Sequence, residues 1–326
     1  MEWYLTPPGL IRGAFLRRTV GLMAGRGCPY RCIFCGSNAM FGRSVRLRSV
    51  ENVMGEIHEM VQRHAIDGFY FYDDTFTIRP DYVLEFCQAL RRDGLRLKWG
   101  CQAAVNTVRR DVLEQMKASG CVQVDLGVES GSPSVLKTLK KGTTPERVRR
   151  AFTLIREVGI RAMATFVVGS PGESLDDIEQ TRQLARAIRP DYVRFFYLTP
   201  FPGSELYQQA VENQWIDPDV EFLPEWQIRQ SDNPVMTIHF TKRELQAIRA
   251  RLQNGFFWRN YLTMLRDWPF ALLMLGVLTK HPRRPVRELG RTLRTRRLDN
   301  LVELALDLYR NAKAKELTKR RLSGVS

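Results

Sequence analysis

Short apolar runs alternate with amphipathic helical runs along most of this chain. This alternation favours a parallel sheet, because parallel neighbours need a crossover connection that a helix usually supplies. Six apolar runs are predicted to be strands buried on both faces: Thr19–Ala24, Gly68–Tyr72, Leu97–Cys101, Val122–Val128, Met163–Val168 and Tyr192–Leu198. Six strand–helix repeats in about two hundred residues predict an α/β fold, an open partial (β/α)6 barrel rather than a closed eight-fold barrel.

Start and stop signals for helices lie between the predicted strands. Pro80 opens a helix that ends near Arg92, and Pro145 opens another that ends at Gly159. These signals place the helices where a (β/α)6 pattern requires them.

The repeat fades after the sixth unit, which predicts three parts. They are a lead-in at 1–17, the (β/α)6 core at 18–212, and a mainly helical extension with a basic tail at 213–326. Within the extension, Thr241 and Glu244 have capping-box spacing and predict a helix that runs to about residue 261.

Positive charge is concentrated at the C-terminal end. The net charge is +15, and residues 280–326 contain 14 basic and 5 acidic residues, which leaves +9 in that tail. The tail is consistent with contact to anionic lipid, nucleic acid or an acidic partner, or with a solvated helical face. The apolar run Pro269–Leu278 is far shorter than the about 20 residues that span a bilayer, so peripheral membrane contact and a buried helix both remain open.

Cysteine usage indicates a reducing compartment. Six cysteines in 326 residues do not resemble a secreted disulfide framework, and the N-terminus lacks an export signal, so a cytoplasmic location is expected. Cys87, Cys101 and Cys121 belong to no cluster motif and are expected to pack in the core.

The other three cysteines, Cys28, Cys32 and Cys35, fall in one run, GCPYRCIFCG at 27–36. Their spacing is C-x3-C-x2-C, with the aromatic Phe34 before the last cysteine. Thiolates hold iron–sulfur clusters, so three of them on a [4Fe–4S] cubane would leave one iron open for another ligand. The alternatives are a zinc site, a disulfide pair or chance, but zinc sites usually add a second Cys or His pair downstream, and none follows.

Polar or glycine-rich segments follow the predicted strands. Ligands of α/β folds gather at the carboxyl ends of strands, so these segments should meet at one mouth. They are the cysteine run, YDDTF (72–76), WGCQ (99–102), GVESG (127–131), VVGSPGE (167–173) and LTPFPGS (198–204). The paired aspartates of YDDTF could bind a metal, act as acid and base, accept hydrogen bonds from an ammonium group, or stabilise the N-terminus of the next helix.

The cysteine run resembles the signature of the radical S-adenosylmethionine (radical SAM) superfamily. The segments RGCPYRC, DDTF, GVESG and PFPG resemble the cobalamin-dependent (class B) methylases and their cyclase relatives, over about residues 18–212. The resemblance implies a [4Fe–4S] cluster whose open iron chelates the amino and carboxylate groups of SAM. It also implies one-electron cleavage of SAM to methionine and a 5′-deoxyadenosyl radical.

The resemblance further implies which residues contact SAM. A carboxylate of Asp73 or Asp74 would accept the amino group, although many relatives have Gly-Gly-Glu where this chain has Asp-Asp-Thr-Phe. In chain order the expected contacts are Phe34, Asp73, Asp74, Gln102, Glu129, Ser130, Val168, Gly169 and Pro200. No catalytic acid or base is nominated, because the radical carries out the hard chemistry and the protein positions and shields it.

The function implied is that of an enzyme that methylates or rearranges an unactivated carbon of a small-molecule or lipid-like substrate. It would take its electron from a flavodoxin- or ferredoxin-like donor. Fewer than twenty residues precede the first predicted strand, and no cobalamin domain is visible. A separate cobalamin-binding chain, a longer protein, and chemistry without cobalamin all stay open. The alternative function is a non-catalytic iron–sulfur protein with a nucleic-acid- or membrane-binding tail.

Overall fold

Six parallel strands form one open sheet in the computed structural model, which describes residues 18–216, 236–237 and 239–265. The strands follow chain order across the sheet: β1 (Thr19–Leu22), β4 (Gly68–Phe71), β5 (Lys98–Ala103), β6 (Cys121–Glu129), β7 (Arg161–Val168) and β8 (Tyr192–Tyr197). Every neighbouring pair is parallel, and β1 and β8 are the edges. The predicted six-strand parallel sheet is confirmed, with strand ends displaced by at most two residues.

A short antiparallel pair, β2 (Gly25–Arg26) and β3 (Arg46–Leu47), brackets the cysteine run. The helices in chain order are α1 (Ser37–Phe41), α2 (Val50–His64), α3 (Pro80–Arg92), α4 (Arg110–Ala118), α5 (Pro133–Thr138), α6 (Pro145–Val158), α7 (Leu175–Ala187), α8 (Glu205–Glu212), α9 (Lys242–Asn254) and α10 (Phe257–Leu265). Two 3-10 turns cover Phe76–Ile78 and Val105–Thr107. The predicted starts at Pro80 and Pro145 are confirmed.

The capping box of Thr241 and Glu244 is also confirmed at the start of α9. The prediction of one helix running to about residue 261 is wrong, because α9 ends at Asn254 and α10 begins at Phe257. Gly255, a poor helix former, stands at the break. Among the described residues, no helix is both long enough and apolar enough to cross a bilayer. The lead-in, the run at 269–278 and the basic tail lie outside the described residues.

The two faces of the sheet differ, which the prediction of strands buried on both faces did not anticipate. Residues that face the helices, such as Phe69, Phe71 and Trp99, are fully buried in the main apolar core. The alternate residues are less buried, and Tyr72 and Gln102 are exposed. Because side chains alternate across a strand, the second face is a polar surface that leads to the carboxyl ends of the strands.

An aromatic cluster under α3 fixes the end of β4. Phe71 stacks on Phe76 with ring centroids 4.2 Å apart, and both rings also contact Phe86 and Trp99 edge-on. All four side chains are fully buried or nearly so. Phe76, the last residue of the YDDTF segment, therefore anchors the turn that carries the paired aspartates.

Side chains from α9 and α10 form hydrogen bonds with backbone groups of the edge strand β8. Asn260 accepts from the backbone N–H of Val193 at 3.0 Å and donates to its carbonyl at 2.9 Å. Gln253 accepts from the N–H of Phe195 at 3.1 Å, and Arg249 donates to the carbonyl of Phe195 at 3.0 Å. These amide and guanidinium groups take the place of a further strand, so the sheet edge does not present open backbone groups at these positions.

We expect Asn260→Ala to lower the free energy of unfolding by about 1–3 kcal/mol, because the buried N–H of Val193 would lose its acceptor. The matched control is Asn254→Ala at the end of α9, for which less than about 0.5 kcal/mol is expected. Urea unfolding followed by circular dichroism measures both. Equal losses in the two variants would contradict a role for Asn260 at the sheet edge.

Candidate metal and cofactor site

The cysteine run forms a loop between β2 and α1, directly after the first strand of the sheet. Gly27 enters this loop with φ +94°, and a Cβ there would stand 2.3 Å from the carbonyl oxygen of Ser44. Only glycine fits this position, because both the backbone angle and the contact exclude a side chain. The N–H of Cys35 then donates to the carbonyl of Cys32 at 3.3 Å, which tightens the loop around the later cysteines.

Cys28, Cys32 and Cys35 are all free thiols, are partly exposed, and line the same cavity of about 320 Å³. Cys87, Cys101 and Cys121 are buried in the core, as predicted, and do not line it. No group of three His, Cys, Asp or Glu side chains among the described residues converges on a point that would suit a single metal ion. Three soft thiols around one cavity match the donor set of an iron–sulfur cluster, in which each thiolate binds a different iron.

The thiols are poor ligands until metal displaces their protons. Burial raises the pKa of Cys32 to about 11 and also raises the pKa of Cys35, although the positive charge of Lys141 acts in the opposite direction. At neutral pH these metal-free thiols therefore keep their protons, and loading of iron has to release them.

The structure gives the paired aspartates different surroundings. Asp73 is 3% exposed and accepts the backbone N–H of Ala24 at 3.0 Å, ahead of β2. Asp74 lines the cavity and accepts the hydroxyl of Ser37 at 2.5 Å. Asp73 thus ties the end of β4 to the strand that precedes the cysteines, and Asp74 presents its carboxylate to the cavity.

Lys141 is the cationic residue that the sequence reading missed. Its Nζ lies 2.7 Å from Oε1 of Glu129 and 5.9 Å from the ring centre of Phe34, and it is the one cation among the described residues that line this cavity. Burial acts to lower the pKa of Lys141, but the attraction of Glu129 and the nearby cysteines raises it overall, so the side chain stays charged. The sequence alone does not distinguish Lys141 from its neighbour Lys140. In the structure, Lys140 instead pairs with Glu205 at the surface.

Of the expected SAM contacts, Phe34, Asp74, Gln102 and Glu129 line the cavity. Glu129 has φ +71°, an unfavourable angle that turns the chain at the end of β6. The other five expected contacts do not line the cavity, and all of them are buried: Asp73, Ser130, Val168, Gly169 and Pro200.

Ser130 has a structural role in the turn after β6. Its hydroxyl lies 2.9 Å from that of Thr181 and accepts the N–H of Ser132 at 3.1 Å. At Gly131 a Cβ would stand 2.4 Å from the carbonyl oxygen of Gln180, so the turn packs directly against α7. The hydroxyl of Ser130 thus has two partners within the protein, and its contact with SAM stays a prediction.

A polar group that the sequence reading did not identify also lines the cavity. Asp125 lines it and accepts the hydroxyl of Tyr70 at 2.7 Å and the side-chain amide of Gln123 at 2.8 Å. Burial and the adjacent carboxylate raise the pKa of Tyr70, which keeps its hydroxyl a donor. The alternation of β6 brings Gln123, Asp125 and Gly127 to the polar face of the sheet.

Glu173 closes the loop after β7. It is fully buried, and its Oε2 accepts the backbone N–H groups of Gly169 at 2.6 Å and Ser170 at 3.1 Å, while its Oε1 has no partner among the described residues. Burial raises the pKa of Glu173 to about 7, even though the two hydrogen bonds act to lower it. The sequence VVGSPGE did not predict that Glu173 would accept hydrogen bonds from the backbone of its own loop.

We expect the stability of the protein to depend on the protonation of Glu173. Its pKa rises from about 4.5 unfolded to about 7 folded, so the folded state binds the extra proton between these values. Stability should therefore fall as pH rises through this window, with up to about 3 kcal/mol of the fall due to Glu173, and this contribution should be absent in Glu173→Gln. Urea unfolding of both proteins from pH 4.5 to 7.5 measures the difference. Parallel curves would contradict the assignment.

Comparison with known proteins gives three findings. The family model described as the radical SAM superfamily matches residues 22–185. An uncharacterized methyltransferase of Pyrococcus horikoshii is 31% identical over 239 residues, which are 73% of this chain and 51% of that protein. The anaerobic magnesium-protoporphyrin IX monomethyl ester cyclase of Rubrivivax gelatinosus is 34% identical over 186 residues, 56% of this chain and 33% of the cyclase.

Among solved structures, the cobalamin-dependent S-adenosylmethionine radical enzyme OxsB, with aqua-cobalamin and S-adenosylmethionine bound, superposes with a TM-score of 0.61. The match covers 95% of this chain and 56% of OxsB at 15% identity, which supports the fold alone. The chain spans about half of the first curated relative and a third of the second.

Proposed function

Because the chain belongs to the radical SAM superfamily, we propose that Cys28, Cys32 and Cys35 hold a [4Fe–4S] cluster at which SAM binds and is cleaved. The observation that carries this proposal is the placement of all three free thiols on one cavity, which also presents carboxylates and a partly buried cation. The cluster and SAM are the cofactors of the family, and the chain is an enzyme of that family. When bound, the cluster would supply the electron that splits SAM to methionine and a 5′-deoxyadenosyl radical.

The charges of the cavity match those of the amino-acid part of SAM. An ammonium group needs a carboxylate acceptor, and we assign this role to Asp74, whose other contact is the hydroxyl of Ser37. A carboxylate needs a cation, and we assign this role to Lys141, which is held at the cavity by Glu129. Of the Asp73–Asp74 alternatives, Asp74 is preferred because Asp73 is buried against backbone.

The remaining expected contacts are proposed as a support for the rest of SAM. Gln102 and Glu129 line the cavity and offer polar groups to the ribose or the methionine part. Val168, Gly169 and Pro200 follow neighbouring parallel strands, and we retain them as the residues that pack the adenine. Ser130 is retained only as the residue that positions this turn, since its hydroxyl contacts Thr181 and Ser132.

For the reaction, we infer modification of an unactivated carbon, with methylation preferred over rearrangement because a relative that matches 73% of this chain is named a methyltransferase. The substrate is proposed to be a small molecule or a lipid-like compound. Methylation of such a carbon needs a methyl carrier besides the radical, so cobalamin would have to come from a separate chain or from protein outside this sequence. Transfer of a labelled methyl group from SAM to the substrate, measured with and without added cobalamin, distinguishes methylation from rearrangement.

We further propose a cytoplasmic enzyme with peripheral membrane contact through its extension. Trp258 and Leu262 are 66% and 55% exposed and lie one helical turn apart on α10. The basic tail that follows in sequence would supply attraction to anionic lipid. Co-sedimentation with vesicles of anionic and of neutral lipid tests this contact, and the Trp258→Ser, Leu262→Ser double variant should bind the anionic vesicles less.

The central experiment is anaerobic reconstitution with iron and sulfide, followed by dithionite and SAM. We expect Cys32→Ala to lose the cluster absorbance and all 5′-deoxyadenosine formation, because one of three cluster ligands is removed. Cys87→Ala, which alters a buried cysteine away from the cavity, should keep both. Turnover by Cys32→Ala, or no 5′-deoxyadenosine from the wild type, would refute the proposal.

Lys141 and its neighbour Lys140 offer a matched pair for the carboxylate assignment. We expect Lys141→Met to weaken SAM binding about 10- to 100-fold, the size expected when a charge-assisted hydrogen bond is lost. Lys140→Met removes an exposed ion pair with Glu205 and should change binding less than about two-fold. Equilibrium dialysis of labelled SAM against the oxidised, cluster-loaded proteins measures both. Equal affinities would remove Lys141 from the site.

A further inference from the structure

A second cavity, of about 500 Å³, lies beside the cysteine cavity and is lined by arginines. It is a groove between the start of α4 and the first half of α6, here called the arginine groove. Its four cationic side chains are Arg109, Arg110, Arg147 and Arg150, and one carboxylate, Asp111, lies among its lining residues.

The arginine groove adjoins the cysteine cavity. Val105 and Asn106, in the 3-10 turn after β5, line both cavities. The side-chain amide of Asn106 donates to the carbonyl of Gly142 at 2.8 Å. A partner seated in the groove would therefore contact the same turn that lines the cysteine cavity.

Two of the four arginines keep their charge uncompensated in the part of the chain that the structure describes. Arg109 is paired with Asp111 at 2.6 Å, and Arg110 is paired with Glu157. Arg147 and Arg150 are exposed, lie three residues apart on one face of α6, and form no ion pair with a described residue. The groove is therefore positive on the side that α6 provides.

The proposed reaction needs an electron from outside the protein. The arginine groove combines uncompensated positive charge with exposure to solvent, next to the cysteine cavity. We propose that the arginine groove is the docking surface for an acidic electron-donor protein that carries a flavin, an inference that rests on the function proposed above. Complementary charge steers such a partner and sets its orientation. The donor flavin, as the anionic hydroquinone, gives up one electron and becomes the neutral semiquinone, and the oxidised cluster is reduced by that electron without transfer of a proton.

The test uses the full chain with its reconstituted cluster and an acidic bacterial flavodoxin in the hydroquinone state. Stopped-flow absorbance follows the oxidation of the flavodoxin. The variant is Arg147→Glu with Arg150→Glu. The control is Arg91→Glu with Arg96→Glu, which changes the net charge equally at the opposite, amino end of β5, where both arginines are exposed.

We expect the groove variant to lower the second-order rate constant about ten-fold or more at low salt, and to flatten its dependence on ionic strength. The control variant should change the rate constant less than about two-fold, because those charges lie far from the groove. Dithionite, a small reductant that needs no docking surface, should reduce all three proteins at the same rate. Arg147→Lys with Arg150→Lys should recover most of the flavodoxin rate.

Equal flavodoxin rates for the groove and control variants would overturn the proposal. So would a single-stranded RNA that binds the wild type and not the groove variant while the flavodoxin rates are unchanged, since the groove would then serve nucleic acid. A wild-type protein that holds no reducible cluster with dithionite would refute the proposed function, and the docking surface with it.

Discussion

The buried carboxylate of Asp73 is the contact on which the site depends. It lies at the end of β4 and accepts the N–H of Ala24, just before the short strand that leads into the cysteine loop. Burial raises its pKa to about 6 against the opposing effect of the backbone hydrogen bonds, so this contact carries an energetic cost. In return, the hydrogen bond of Asp73 fixes the cysteine loop relative to Asp74, the neighbouring residue that lines the cavity.

Opposite charges on a single cavity explain how one site could take a zwitterionic ligand beside a cluster of thiolates. Asp74 and Lys141 supply the two signs, and Glu129 holds Lys141 in place before any ligand arrives. The cation also lies close enough to Cys32 and Cys35 to favour their thiolate forms. Asp125, on the polar face of the sheet, lines the same cavity and accepts the hydroxyl of Tyr70.

Sequence reading predicted the framework well, because apolar periodicity, prolines and capping residues act locally. The six strands, the helix starts at Pro80 and Pro145, and the burial of the three other cysteines follow from such local rules. It could not separate Asp73 from Asp74 or Lys140 from Lys141, because neighbours of the same type differ only in what surrounds them. The acceptors that Asn260 and Glu173 provide to backbone groups are likewise tertiary contacts, invisible to composition or spacing.

The central claim is a cluster with three protein ligands and an iron left for SAM. Electron-nuclear double resonance on the reduced protein tests it directly, with SAM labelled by ¹⁵N at its amino group and by ¹⁷O at its carboxylate. The account predicts hyperfine coupling of both labels to the paramagnetic cluster. A reduced cluster that shows neither coupling while SAM is bound, or a metal analysis that finds zinc in place of iron and sulfide, would contradict it.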